Sequence, residues 1–148
     1  AVVFNDLRRE RVKDVEFVWE EVLSFEGETG PYVQYTHARL ASILRKAEAA
    51  GEADNTPNFD LLEEAGPLLI RIGRFGDVLS QAARNAEPSE LASYLLTLCR
   101  EVNSWYAANR VLGQEAALGG ARISLVRAAK VVLRNGLRIL GLSAPEEM

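Results

Sequence analysis

The sequence predicts an all-α helical bundle, and three observations carry that prediction. Leu, Ala, Arg and Glu, all good helix formers, are plentiful. Leu91, Leu95, Leu98, Val102 and Trp105 recur at i, i+4, i+7, i+11 and i+14, which is one buried stripe of a helix. The breaks between such segments are short and rich in Gly, Pro and Asn, so successive helices pack on one another through short connections. At 148 residues the chain is long enough for one domain with its own core.

The elements follow in order. Ala1-Val2-Val3-Phe4 reads as a short buried run, Asn5 to Lys13 has helix-forming composition, Val15 to Val18 alternates like a short extended piece, and Trp19 to Ser24 suits a turn of helix. The first long helix is expected from Pro31 to about Ala50, because proline has no amide to satisfy in a first turn and its φ is already helical. Gly51 to Asn58 is a loop. A short helical piece is expected around Phe59 to Ala65, after which Gly66-Pro67 interrupts and Pro67 restarts an apolar turn with Leu68, Leu69, Ile70 and Ile72. Gly73 and Gly76 loosen the chain before Asp77, a candidate cap for a helix reaching Asn85. The next helix starts at Glu87-Pro88-Ser89 and is expected to run to about Leu112, where Gly113 stops it. Gly119-Gly120 is expected to be a break, with the last helix spanning Ala121 to Leu140 and Gly141 as its cap. Gly136 inside that helix costs about 1 kcal/mol against Ala, which a close approach by another helix would explain.

Charge narrows the function. The net charge is −4 and the pI ≈ 5.1, against a generally basic surface of the kind many nucleic-acid binders carry. The distribution is uneven: Asp6, Glu10, Asp14, Glu16, Glu20, Glu21, Glu26 and Glu28 crowd the first segment, whereas Arg122, Arg127, Lys130, Arg134 and Arg138 share the last helix with no acid among them. Screening limits the reach of distant charges to about 8–10 Å, so a local basic face can hold RNA on an acidic chain. Cys99, the one cysteine, allows neither an intrachain disulfide nor a thiolate cluster, and its apolar neighbours point to a buried, inert thiol. The single His37 cannot make a His-pair metal site. The chain holds no His-Glu-x-x-His, no Gly-x-Ser-x-Gly elbow and no Gly-rich phosphate loop, so no catalytic residue and no metal site are expected in it. No apolar run approaches the ~20 residues that span a membrane. With no secretory signal, a cytoplasmic setting is expected, and an apolar opening without Met suggests a cut inside a longer protein.

Tyr32, Tyr35 and Arg39 share one stripe of the first long helix, apart from the apolar stripe of Val33, Leu40, Leu44 and Ala47. Two aromatic faces beside a cation suit unstacked bases on a phosphate backbone. By pattern alone such tyrosines are more often packing residues, and a helical protein-interaction bundle without RNA binding remains a rival reading. Tyr106 falls off the Trp105 stripe, with Arg110 one turn further along. Arg127, Lys130, Arg134 and Arg138 line one face of the last helix, where they are either solvated or set against phosphates. His37 lies between the stripes and is expected to bond to the backbone, while Gln34 is expected to be solvated.

The run Phe25-Glu26-Gly27-Glu28-Thr29-Gly30-Pro31-Tyr32-Val33-Gln34-Tyr35, followed by His37-Ala38-Arg39, resembles the junction of arginyl-tRNA synthetases at which the catalytic domain gives way to a helical (DALR-type) anticodon-binding domain. Ala121 to Val126, Val132 to Leu142 and the closing Pro145-Glu146-Glu147-Met148 are similar to that family's last helix and tail. The resemblance implies a remnant of the catalytic domain in residues 1–28 and the anticodon-binding domain in 29–148. It implies arginine tRNA as the partner, recognised through its anticodon loop, an upstream catalytic domain in the same chain that uses ATP with magnesium, and a monomer. It assigns RNA contact to Tyr32, Tyr35, Arg39, Tyr106, Arg110, Arg134 and Met148. Tyr32 and Tyr35 would stack on or between bases, Arg39 would meet phosphate or a base edge, and Met148 would pack on a base. Glu147 stands where the family often has a basic residue.

Overall fold

The computed structural model describes residues 1–8, 23 and 27–148, so the expectations for residues 9–13, 15–18 and most of 19–24 lie outside it. Among the described residues there are α-helices and 3₁₀ turns and no strand. In chain order they are α1 (Val2–Leu7), α2 (Gly30–Ala49), two 3₁₀ turns (Phe59–Leu61 and Glu63–Ala65), α3 (Gly66–Gly73), α4 (Phe75–Asn85), α5 (Pro88–Ala108) and α6 (Ala116–Ile139). The long helices α2, α5 and α6 pack on one another, and α3 and α4 cover the flank of α5.

The helices α2 and α5 form where the sequence places them. Thr29 is extended and its hydroxyl accepts the Tyr32 amide at 3.1 Å, which satisfies one of the first-turn donors beside Gly30 and Pro31. Val33, Leu40 and Ala47 on α2 are buried, and so is every member of the Leu91-to-Trp105 stripe on α5. Each fully buried Leu or Val contributes roughly 1.5–3 kcal/mol by leaving water, which is what holds the three long helices together. Cys99 is sealed in this core, where burial pushes its thiol up to about 12, so it carries no thiolate at neutral pH.

Four boundaries differ from expectation, each for a local reason. Helix α1 starts at Val2, burying Phe4 while Val2 and Val3 face outward. Helix α4 begins at Phe75, so Asp77 lies inside its first turn, where a carboxylate still meets the positive helix end. Helix α5 ends at Ala108 rather than Leu112: Asn109 is extended and its side-chain amide donates to the Trp105 carbonyl at 2.9 Å, closing the helix early. Arg122 then holds the departing strand of chain through the Arg110 carbonyl (2.8 Å) and the Asn109 side chain (3.2 Å).

The Gly119-Gly120 pair is not a break. It lies inside α6, which starts at Ala116 under a cap from the Glu115 carboxylate. A Cβ on Gly120 would lie 2.5 Å from the Asn55 carbonyl oxygen, so the glycine lets the loop before the first 3₁₀ turn pass directly over the helix. Gly136 meets the expectation set for it: a Cβ there would lie 2.5 Å from a methyl of Leu95 on α5. Gly141 ends α6 with φ of +74°, its amide bonded to the Arg138 carbonyl and that of Leu142 to Leu137. That turn sends the last six residues back along α2.

Candidate nucleic-acid interface

The site is built from one face of α2, the C-terminal half of α5 and the tail after α6. Asn103 on α5 ties the first two together. Its amide nitrogen donates to the Tyr32 hydroxyl and to the Thr36 hydroxyl oxygen, each at 3.2 Å, while its carbonyl oxygen accepts from Arg39 Nη1 at 3.4 Å. The Arg39 guanidinium lies over the Tyr106 ring, 4.9 Å from its centre. A planar cation held on an aromatic face keeps its orientation while its N–H edges stay available to an anion. Tyr32 and Tyr106 are half-buried and packed against the core, so they support this arrangement from beneath.

Tyr35, Arg39 and Met148 line a cleft of about 400 Å³ together with Ala38, Ser42, Arg45 and Glu147. Tyr35 is 44% exposed and Met148 58%, so both present apolar surface to the solvent in the cleft. Ser42 and Arg45 are the wall residues that the sequence reading missed. The signal was present, since they stand at i+7 and i+10 from Tyr35 on the same stripe. Asn103 was missed as well; its signal is a poor helix former three residues before Tyr106, in the middle of a long helix.

Arg110 and Arg134 lie elsewhere. Because α5 stops at Ala108, Arg110 is off the helix and its guanidinium folds over Gly113, 3.3 Å from where a Cβ would stand. Arg134 is half-buried close enough to affect His37, with its Nε sealed from solvent and unbonded among the described residues. Along the same helix Lys130 pairs with Glu146 at 2.6 Å, whereas Arg127 and Arg138 are exposed. The basic stripe is thus partly neutralised by the tail. The Lys130 hydrogen bond holds the Glu146 carboxyl below its usual range. Glu147 pairs with Arg45 at 3.5 Å.

Gln34 is not free in solvent: its side-chain amide donates to the Ser143 carbonyl at 2.9 Å and to its hydroxyl at 3.1 Å. His37 bonds to the backbone as expected, at the Pro145 carbonyl, but it is fully buried. Burial is the main force lowering its pKa, with Lys130 and Arg134 adding to it, while the Pro145 carbonyl and Glu146 oppose it. Among the described residues no helix is long and apolar enough to cross a membrane.

Comparison with known proteins agrees with this fold. The chain is 43% identical over 148 residues to an arginine–tRNA ligase of Oenococcus oeni, and 44% identical over 149 residues to arginine–tRNA ligase 1 of Bacillus cereus. Each match takes in the whole chain and 26% of the relative, so the chain spans about a quarter of the length of the curated relatives it matches. The arginyl-tRNA synthetase of Thermus thermophilus superposes with a TM-score of 0.87 at 37% identity, covering 99% of this chain and 26% of that one. The Plasmodium falciparum arginyl-tRNA synthetase shares the fold, at a TM-score of 0.80 and 24% identity over 99% of this chain and 26% of its own. The DALR anticodon binding domain family matches residues 33–148, which contain α2 from its first turn, the cleft and the tail, and this chain belongs to that family.

Proposed function

We propose that this chain grips the anticodon loop of arginine tRNA as the anticodon-binding part of an arginine–tRNA ligase. The observation that supports this best is the Arg39–Tyr106 stack at the edge of a cleft that also holds Tyr35 and Met148. Tyr35 offers a ring face to an unstacked base, Met148 packs on a base, and Arg39 turns its N–H edge to phosphate or to a base edge. Tyr32 and Tyr106 keep that edge in place. Arg110 and Arg134 serve at most the flanking backbone. The domain's share of catalysis is positioning: a held anticodon fixes where the acceptor end of the tRNA lies.

In this reading residues 1–28 are the end of the catalytic domain and 29–148 the anticodon-binding domain. Arginine, ATP and magnesium are handled by the catalytic domain, in a monomeric cytoplasmic enzyme. The residues of this chain present no phosphate loop, and no bond-making step is assigned to them. The test is tRNA charging by the full-length ligase. Tyr35→Ala and Arg39→Ala should each raise the KM for arginine tRNA by about 5- to 150-fold, the range of one lost stacked base or phosphate contact. The KM values for arginine and ATP should stay near wild type. Charging should also weaken steeply as salt rises. Unaltered tRNA kinetics in both variants would sink the proposal.

A further inference from the structure

We propose that His37 is a positioning residue that latches the C-terminal tail across α2 and thereby sets Met148 in the cleft. The inference rests on the reading of that cleft as an RNA site. The His37 Nδ1 lies 2.8 Å from the carbonyl oxygen of Pro145, 108 residues later in the chain. A carbonyl can only accept, so Nδ1 carries the proton and donates, which fixes the tautomer. Nε2 is left as a buried nitrogen with no hydrogen-bond partner among the described residues. One face of the imidazole is therefore committed to the tail, and the other to the packed interior.

Three further anchors follow the tail in order. Gln34, one turn before His37, holds Ser143. Arg45, two turns after it, donates to the Glu146 carbonyl at 3.0 Å and pairs with Glu147. Lys130 closes on the Glu146 carboxylate from α6. Those three contacts are open to solvent to some degree, and the Arg45–Glu147 pair is exposed on both sides, so water and salt compete with them. His37 is 0% exposed and Pro145 half-buried, so water competes less for this bond than for the other three. The tail after Gly141 has no regular structure of its own, so its path is set by the contacts that tie it down. The latch at Pro145 is the shielded tie, three residues from Met148.

The experiment uses the full-length ligase carrying this chain, with His37→Leu (no donor), His37→Asn (whose amide nitrogen can stand in for Nδ1), deletion of residues 143–148, and the deletion combined with His37→Leu. Amide hydrogen exchange at residues 143–148, measured without RNA, should speed about 5-fold in His37→Leu, the scale of one lost hydrogen bond, and stay near wild type in His37→Asn. The KM for arginine tRNA should rise in His37→Leu with kcat unchanged, recover in His37→Asn, and rise no further when His37→Leu is added to the deletion. If His37→Leu fails to fold, His37→Gln, which places its amide at the Nε2 position, is the loss variant. Equal exchange rates in wild type and His37→Leu, or a His37 effect that persists without the tail, overturn the latch. A deletion that leaves the tRNA KM unchanged overturns the RNA reading of the cleft, and the exchange rates separate that failure from failure of the latch.

Discussion

At the scale of single residues, Asn103 has the most to lose. One side-chain amide on α5 satisfies the Tyr32 hydroxyl, the Thr36 hydroxyl and an Arg39 N–H, all three on α2, and so ties together the two helices that form the site. Removing it leaves a half-buried hydroxyl unpaired and frees the guanidinium to leave the Tyr106 face. Asn103→Ala should therefore cost the domain about 1–3 kcal/mol, the penalty for stranded polar groups, read as a shift in its urea unfolding transition. It should also raise the KM for arginine tRNA although Asn103 does not line the cleft. A variant with wild-type stability and kinetics would mean the amide merely fills space. That Tyr35 and Arg39 share an exposed face was legible from spacing, because a stripe is a one-dimensional pattern, whereas Met148 was named on the family likeness alone; the structure sets all three along one cleft. Asn103 was not, because its role is set by which helix lies opposite, and periodicity along one helix carries no such information.

At the scale of elements, the same distinction separates what the sequence predicted from what it did not. Helices α2 and α5 were legible because a long apolar stripe is a strong signal and a proline at each start is another. The end of α5 and the start of α6 were not. Asn109 and Arg122 close α5 through contacts made after folding, and Gly119-Gly120 looks like punctuation until the loop at Asn55 is seen to cross it. This gives a paired prediction. In Gly120→Ala the new methyl meets backbone on every side (Asn55 O at 2.5 Å, Asn55 C at 3.0 Å, Pro57 N at 3.2 Å), and backbone cannot swing aside as a side chain can. That variant should lose about 1–3 kcal/mol, the usual cost of overpacking. In Gly119→Ala the nearest atom is 3.6 Å away, an ordinary contact, so the better helix former should gain up to about 1 kcal/mol. Thermal unfolding of the two variants should move in opposite directions. A shared direction would mean that the loop yields, or that helix propensity outweighs the crossing.

At the scale of the whole molecule, the tail, α2 and α6 meet at one titratable group, so the pH dependence of stability reports on their junction. His37 is neutral and buried, and its pKa in the folded state lies below the ordinary 6.5. The unfolded chain therefore takes up a proton more readily than the folded one. The sign follows from linkage: the contribution of His37 is fully present above pH 6.5, declines as pH falls from there toward the lowered folded value, and then levels off. Burial is the largest cause, and Lys130 and Arg134, facing the ring from α6, make a further positive charge there still less welcome. Glu146 titrates in a separate window. Its carboxyl is held below the ordinary 4.5, so its contribution is kept above that pH and lost below it. The melting temperature of the domain should accordingly drop between about pH 7 and pH 5.5, with a slope of no more than about 1.4 kcal/mol per pH unit from this one group. In His37→Asn, which keeps the donor to Pro145 and cannot protonate, that drop should vanish while the acid limb below pH 4.5 remains. If the variant keeps the near-neutral drop unchanged, the buried imidazole is not its source, and the junction of tail and helices is insensitive to the proton.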